Sequence, residues 1–501
     1  MADKSLCYRH RPDMSVVRPN LLPDLNGLQK DLAAVPAEVD RQAISQAWTT
    51  FASASAAQRM IILQGLLSSC CTSQLSYLAK TIDPLLRVDF TAILPPEICV
   101  MIMSHLDAQS LCAACQVSRR WRALADDDQL WHRMCQQHID KKCVKCGWGL
   151  PLMQKRRVVR LTGQKRRYDD QSSSDDDHCQ EQPQKKPWKR VYSERLVVER
   201  NWRKQRMQHT VLKQDSPVLC LQYCDAQRIL ITGARDNTAT VWNLDEGKVI
   251  RVLEGHTRPI RTLQFDDTKL VTGSLDHTLK VWDYNTGRCI RTLQGHSDGV
   301  VHLHFNSRIL ASGSTDATIK IWNFETGQCS TLTGHTDAVT HTQIVNASRL
   351  ISSSADGSIR VWDLNTRACL HVLRGHSAPV QVVSPISRLL VPRSHDCHSE
   401  SDNFLLSGSL DNTLRIWSLS TGRPVRTLFG HTQGVTSLAH DKLRLVSGSL
   451  DGSVKLWDME TGLPLYTLLN SQCPVTSVIL TDAKVISAFD NGEIHVLDFS
   501  A

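Results

Sequence analysis

No stretch of this sequence approaches the ~18 uninterrupted apolar residues that a membrane-spanning helix needs. The opening residues MADKSLCYRHRPDMS also lack the apolar run of a secretory signal. A membrane protein or a secreted one is therefore not expected. The 17 cysteines are odd in number and follow no signal, so they read as reduced thiols rather than a disulfide scaffold. There is no glycine-rich phosphate loop, no GxSxG and no carboxylate pair outside the repeated units described below. The chain is accordingly expected not to be an enzyme and to carry no cofactor and no metal.

What is present is length and repetition. At roughly 150 residues per domain, 501 residues give a prior of about three domains. The content of 41% hydrophobic and 22% charged residues is that of ordinary globular chains. The net charge of +8 is concentrated: Gln154 to Arg206 hold 16 Lys/Arg and 8 Asp/Glu, and the remainder carries 42 of each sign. One basic segment on a near-neutral protein argues against a nucleic-acid-binding surface.

Trp242, Trp282, Trp322, Trp362, Trp417 and Trp457 lie 40, 40, 40, 55 and 40 residues apart, each six residues after an aspartate (Asp236, Asp276, Asp316, Asp356, Asp411, Asp451). Five of these blocks follow a Gly-His pair, with His256, His296, His335, His376 and His431. A seventh unit ends at Leu497, with Asn491 where the others have aspartate. Seven units of 40 and one insertion of 15 account for the 295 residues from Met207 to Ala501. In KLVTGSLDHTLKVWD, Leu270–Ser274 and Thr278–Trp282 read as strands around a Leu275-Asp276-His277 turn. This pattern resembles the WD40 repeat, four strands to a propeller blade. The resemblance implies that each Trp, His and Asp, with a hydroxyl such as Thr272 or Ser447, forms a structural network. A motif recurring in every blade marks architecture, not catalysis. Blade seven lacks an outermost strand, which His209 to Leu212 can supply, closing the ring. Cys289, Cys329 and Cys369 recur at one place in three units and read as packing residues. Ser387 to Asn403 reads as a solvent loop.

Residues 90–138 hold several short amphipathic helices. Leu94, Ile98, Ile102 and Leu106 line one face after Pro95-Pro96, Ser110 and Ser118 are candidate caps, and Trp121, Leu130, Trp131 and Met134 are apolar. So small a bundle cannot hide its apolar surface alone, so a partner is expected. The order LPPEI…HLD…SLC…VSRRWRALADDDQLW resembles the F-box. That resemblance implies docking on a Skp adaptor, itself joined to cullin and RING subunits. It places Leu94, Pro95, Ile98, Ile102, Leu106, Leu111, Val117 and Trp121 at the adaptor contact or in the module core, which sequence alone does not separate.

Before it, residues 38–89 are helical and amphipathic. Leu75, Leu78 and Ile82 are candidates for a homodimer contact, of the kind F-box/WD40 proteins carry at this place, and packing onto the F-box is the alternative. Residues 1–37 read as disordered. Residues 139–206 read as a linker: Cys135, His138, Cys143 and Cys146 are a possible zinc set, weaker than their reading as reduced structural thiols. Two basic clusters read equally as a nuclear-import signal or a solvated linker ending in a helix toward Arg206, and Ser172 to Ser174 fit an acidophilic kinase. IDKKCVKCGWGLPL after the F-box, LRVDF before it and QFDDTKLVTGSLDHTLKVW in unit two resemble the fungal sulphur-controller, sconB-type, family. The departures are a shorter linker, a shorter unit-five insertion, and Gln214-Asp215 in place of Gly-His in unit one.

The whole reads as a multi-domain chain: an N-terminal all-α part (dimerisation helices plus F-box), then an all-β seven-bladed WD40 propeller over residues 207–501. The resemblance implies a non-catalytic substrate receptor of an SCF ubiquitin ligase in nucleus and cytoplasm, controlling sulphur repression through a bZIP activator. A ligase-independent nuclear scaffold is the alternative. The degron would lie across the narrow propeller face, on Arg235, Arg261, Leu275, His302, Leu410 and Leu450. With only Arg235 and Arg261 basic there, it would offer one apolar anchor and one acidic or phosphorylated group.

Overall fold

The computed structural model describes residue 30 and residues 32–86, 89–138, 187–386, 404–441, 443–459 and 461–500. Two compact units divide the chain, Met1–Arg133 and Met134–Ala501. Cys143 and Cys146 of the possible zinc set, the first basic cluster, Ser172 to Ser174, residues 1–29 and the unit-five insertion lie outside the described residues.

The first unit opens with α1 (Glu38–Ser53), α2 (Ala56–Ser69) and α3 (Thr72–Leu86). Ser55 separates the first two because its hydroxyl accepts from the Gln58 N–H while Gln58 Oε1 accepts from the Ser55 N–H at 2.9 Å, a capping box. Arg59 then ties the helices together through Phe51 O at 3.0 Å. No residue of α1 is buried, and Trp48, Met60, Ile61, Leu66, Tyr77 and Ile82 remain exposed.

Five short helices follow: α4 (Phe90–Ile93), α5 (Pro96–Met103), α6 (Ala108–Ala114), α7 (Arg119–Ala125) and α8 (Asp128–His138). Pro96 occupies the first turn of α5, where its missing N–H costs nothing. Ser118 caps α7 as the sequence predicts, but α6 begins earlier than expected: Asp107, not Ser110, is its cap, accepting the Ser110 N–H at 3.1 Å. Cys99, Met103, Leu111, Ala125, Leu130 and Trp131 are buried. Trp121 meets Phe90 edge to face at 5.1 Å and donates to Asp89 at 3.0 Å. Burial works upward on the Asp89 carboxyl, but the bonds from Thr91 and Trp121 outweigh it and hold it below the usual range.

Among its described residues the second unit holds α9 (Trp188–Lys204) and twenty-eight strands, β1 to β28 in chain order, in seven antiparallel four-stranded sheets. In the second repeat β6 (Ile260–Phe265), β7 (Leu270–Ser274), β8 (Thr278–Asp283) and β9 (Arg288–Gln294) run from the centre outward; β7 has the bounds read from sequence and β8 runs one residue further. Ring closure is as expected: β1 (Gln208–Lys213) pairs antiparallel with β28 (Glu493–Asp498), completing the sheet of β26 (Val475–Leu480) and β27 (Lys484–Phe489).

Helix α9 is docked on blades six and seven. It buries Val191, Tyr192, Val198 and Trp202, and Trp202 stacks on Phe499 with ring centroids 3.7 Å apart. Arg195 pairs with Asp482 at 3.0 Å, and Asn201 donates to Phe499 O at 3.0 Å. Arg444 lies 4.4 Å over the Trp202 ring and pairs with Glu199. Gln205, at φ 54°, ends the helix and turns the chain into β1.

Candidate functional site: the propeller rim and the F-box face

The blades are held rigid by the expected network. In blade two, Trp282 Nε1 donates to Thr272 Oγ1 at 2.8 Å, His256 Nε2 meets the same hydroxyl at 2.7 Å, and His256 Nδ1 meets Asp276 at 2.7 Å. The set recurs at His296, His335, His376 and His431. Burial pushes all five histidines below their ordinary range against the pull of their aspartates. Because the indole N–H already donates to the hydroxyl, the hydroxyl proton is left for Nε2 and the ring proton on Nδ1 faces the carboxylate. Blade one reaches the same end with another residue: Thr232 donates to Gln214 Oε1 at 2.9 Å and accepts from Trp242 Nε1 at 3.0 Å. The apparent departure at Gln214 is thus a substitution of one acceptor for another. Blade seven has no such set among the described residues, and the buried Ser487 hydroxyl has no partner among them.

At one end of the ring, each turn between the second and third strands folds against the residues preceding its inner strand; Arg235 N–H reaches Pro217 O at 3.0 Å and Leu275 N–H reaches Pro259 O at 3.1 Å. The turn residues Arg235, Leu275, Leu410 and Leu450 therefore lie at this rim. All seven inner strands shift register there, between Val218 and Cys220, Ile260 and Thr262, Val300 and His302, and onward to Val475 and Ser477. The skipped residue is Leu219, Arg261, Val301, Thr340, Gln381, Thr436 or Thr476. A bulge re-aims its extra side chain out of the ladder, and this is the physical reason one position per blade is singled out.

The side chains so aimed do different things. Thr436 donates to Val475 O at 2.6 Å, Thr476 to Val218 O at 2.7 Å, and Thr340 to Val380 O. These threonines join one blade to the next. Arg261 and Arg235 are exposed on neighbouring blades. Leu450 is 39% exposed, while Leu275 and Leu410 are half-buried and lie over Gly299 and Gly434, where an added Cβ would meet them at 2.8 and 2.5 Å. His302 is set in the channel wall beneath the rim, its ring stacked on His341 at 3.7 Å. Arg261 is near enough that its charge acts on His302. Cys220, beside Arg261, is pushed up to about 12 by burial.

On the F-box the structure separates core from surface. Leu111 is buried; Leu94, Leu106 and Trp121 are half-buried; Pro95 is exposed. Ile98 is 43%, Ile102 40% and Val117 63% exposed, and Met101, which sequence reasoning passed over, is 63% exposed between the two isoleucines. Leu75 and Ile82 of α3 are exposed and Leu78 half-buried. Cys135 is buried. The packing reading of Cys289 and Cys329 does not hold, because both lie in the first two residues of outermost strands and are exposed. No group of three or more His, Cys, Asp or Glu side chains arranged to hold a metal occurs among the described residues.

Comparison with known proteins agrees with this architecture. The F-box-like family matches residues 91–137, and the WD domain, G-beta repeat family matches six segments from 206–243 to 422–458. The seventh blade, with Leu497 and Asn491 where the other units have the repeated Trp and Asp, is not among the matched segments. A probable E3 ubiquitin ligase complex SCF subunit sconB of Arthroderma benhamiae is 43% identical over 255 residues, 50% of this chain and 38% of that protein. The chain thus spans about two fifths of that relative's length. Proteins with the same description from Aspergillus fumigatus and Aspergillus niger are each 39% identical, over 89% of this chain and over 77% and 80% of their own lengths. The chain belongs to the sconB family of F-box proteins with WD40 repeats.

Proposed function

We propose that this protein is the substrate-recognition subunit of an SCF ubiquitin ligase. It presents a Skp-type adaptor, and through it cullin and RING subunits, with the F-box, and holds a substrate on the propeller rim. The observation that carries the reading is the apolar surface formed by Ile98, Met101, Ile102 and Val117 on a module that buries Cys99, Met103, Leu111, Leu130 and Trp131 in its own core. The chain's part is non-catalytic. It holds a substrate lysine near a charged conjugating enzyme and so raises its effective concentration. Adaptor contacts fall to Leu94, Pro95, Ile98, Ile102, Leu106, Val117 and Trp121, with Leu111 supporting them from the core.

The substrate is a bZIP activator of sulphur assimilation, and the setting is nucleus and cytoplasm. Its degron offers an apolar anchor toward Leu450, with Leu275 and Leu410 beside it, and an acidic or phosphorylated group toward Arg235 and Arg261, above His302. The exposed face of α1 to α3 supports a homodimer through Leu75, Leu78 and Ile82. Purification of the tagged full chain should bring down adaptor and cullin together. A preparation free of both and rich in other partners would show a ligase-independent scaffold instead.

A further inference from the structure

We propose that the central channel, where blades three to five line it, binds a small oxyanion or carboxylate. A cavity of about 460 Å³ runs through the ring with lining from all seven blades; Leu221, Leu263, Leu438 and Ile479 make the far side apolar, and His302, His304, His341, Gln343 and Ser384 make the side of blades three to five polar, with Gln264 beside them. The fifth residue of each inner strand explains the arrangement. Gln222 clamps the next blade by accepting the Phe265 N–H at 2.6 Å and donating to its carbonyl at 3.4 Å; Gln264 does the same to Phe305 at 2.6 and 3.0 Å. Gln343 holds this position in blade four, but the residue opposite is Pro385, which has no N–H to give. No described residue hydrogen-bonds the Gln343 amide, and it faces the cavity.

The histidines are fixed as donors. His302 Nδ1 accepts the Thr342 N–H at 3.2 Å and His304 Nδ1 accepts the Ile344 N–H at 3.4 Å. Each ring proton must then sit on Nε2. Those Nε2–H groups have no acceptor among the described residues and are not among the buried unpartnered atoms, so they open on the cavity they line. His341 stacks on His302 at 29°, and its own Nδ1 is buried without a partner. No carboxylate lines the cavity among the described residues, and the charge of Arg261 acts on His302. A wall of imidazole and amide N–H groups under positive charge selects an acceptor-rich ligand. With Nδ1 occupied and Nε2 protonated, His302 and His304 offer no lone pair to a metal ion.

This site does not rest on the receptor reading. Its test is the thermal stability of the full chain, titrated with inorganic phosphate, sulfate and malonate at constant ionic strength set by chloride. We expect a saturable rise in midpoint for at least one of the three. Gln343→Leu removes an amide that holds nothing in the fold, so its unligated midpoint should match the wild type while its affinity falls about tenfold. His304→Phe provides a second reading at another wall. A rise that never saturates, or one equal in wild type and Gln343→Leu, overturns the site. Saturable stabilisation by zinc in place of the anions overturns the tautomer argument and the site with it.

Discussion

Replacing Ile98 and Ile102 together with aspartate separates docking from folding. Full burial of an isoleucine side chain is worth about 1.5–3 kcal/mol. At 43% and 40% exposure, close to half of each side chain is left for a partner to cover. The two residues then supply roughly 1–3 kcal/mol of adaptor affinity, and truncation to alanine should weaken binding by about ten- to a hundredfold. Aspartate adds the desolvation of two charges without counter-charges, several kcal/mol more, which removes binding at micromolar concentrations. The fold should persist, because neither side chain belongs to the core of Cys99, Met103 and Leu111. The assay is titration of the purified full chain with its Skp-type adaptor, beside thermal unfolding. Leu111→Ala is the contrast: it opens a cavity costing about 2–5 kcal/mol, so it should lower the unfolding midpoint first. Undiminished adaptor binding by the double aspartate variant, with the unfolding curve unchanged, would refute the assigned face.

Four further outcomes are expected. Thr272→Val leaves the indole N–H of Trp282 and one nitrogen of His256 buried without a partner, costing about 2–5 kcal/mol in thermal or denaturant unfolding. Ser487→Ala should cost almost nothing, since that hydroxyl is already unpaired; equal losses in the two would show that the network does not rigidify blades. Burial lowers His304 to about 4 and His341 to about 3, so the unfolded chain binds more protons below the ordinary histidine pKa of ~6.5. The stability contributed is full above that pH and is lost as pH falls toward 4, about 2 kcal/mol from His304 by pH 5; calorimetry should show a smaller acid loss in His304→Gln. Arg261→Glu should abolish substrate capture while adaptor titration is unchanged, and normal ubiquitination by that variant would move the substrate site off the rim.

Most of the fold was legible because its signals are local and periodic. The 40-residue spacing, the Leu275-Asp276-His277 turn and the strand that closes the ring all follow from order along the chain. What escaped depends on contacts between distant residues. The Arg195–Asp482 pair spans 287 positions, and nothing near Arg195 announces it. The three threonines at bulges look like rim residues in sequence, but their hydroxyls reach the neighbouring blade. Asp107 displaced Ser110 as a cap because either can begin a helix and only geometry chooses. The channel histidines stood in plain sight as HLHF and THTQI, yet their donor direction is set by the N–H groups of the strand beside them.

The pairing of β1 with β28 also has a history in time. β1 is made first, and its partner begins at Glu493, 280 residues after Lys213. At roughly 5–20 residues per second, synthesis leaves that strand without its neighbour for about 14–56 s. Throughout this interval blades one to six can form in turn, each from contiguous chain, while the ring stays open. The waiting edge reads Gln208-His209-Thr210-Val211-Leu212-Lys213, with five of its six residues exposed even in the finished ring. Its polar and cationic side chains make it a poor template for a second nascent chain.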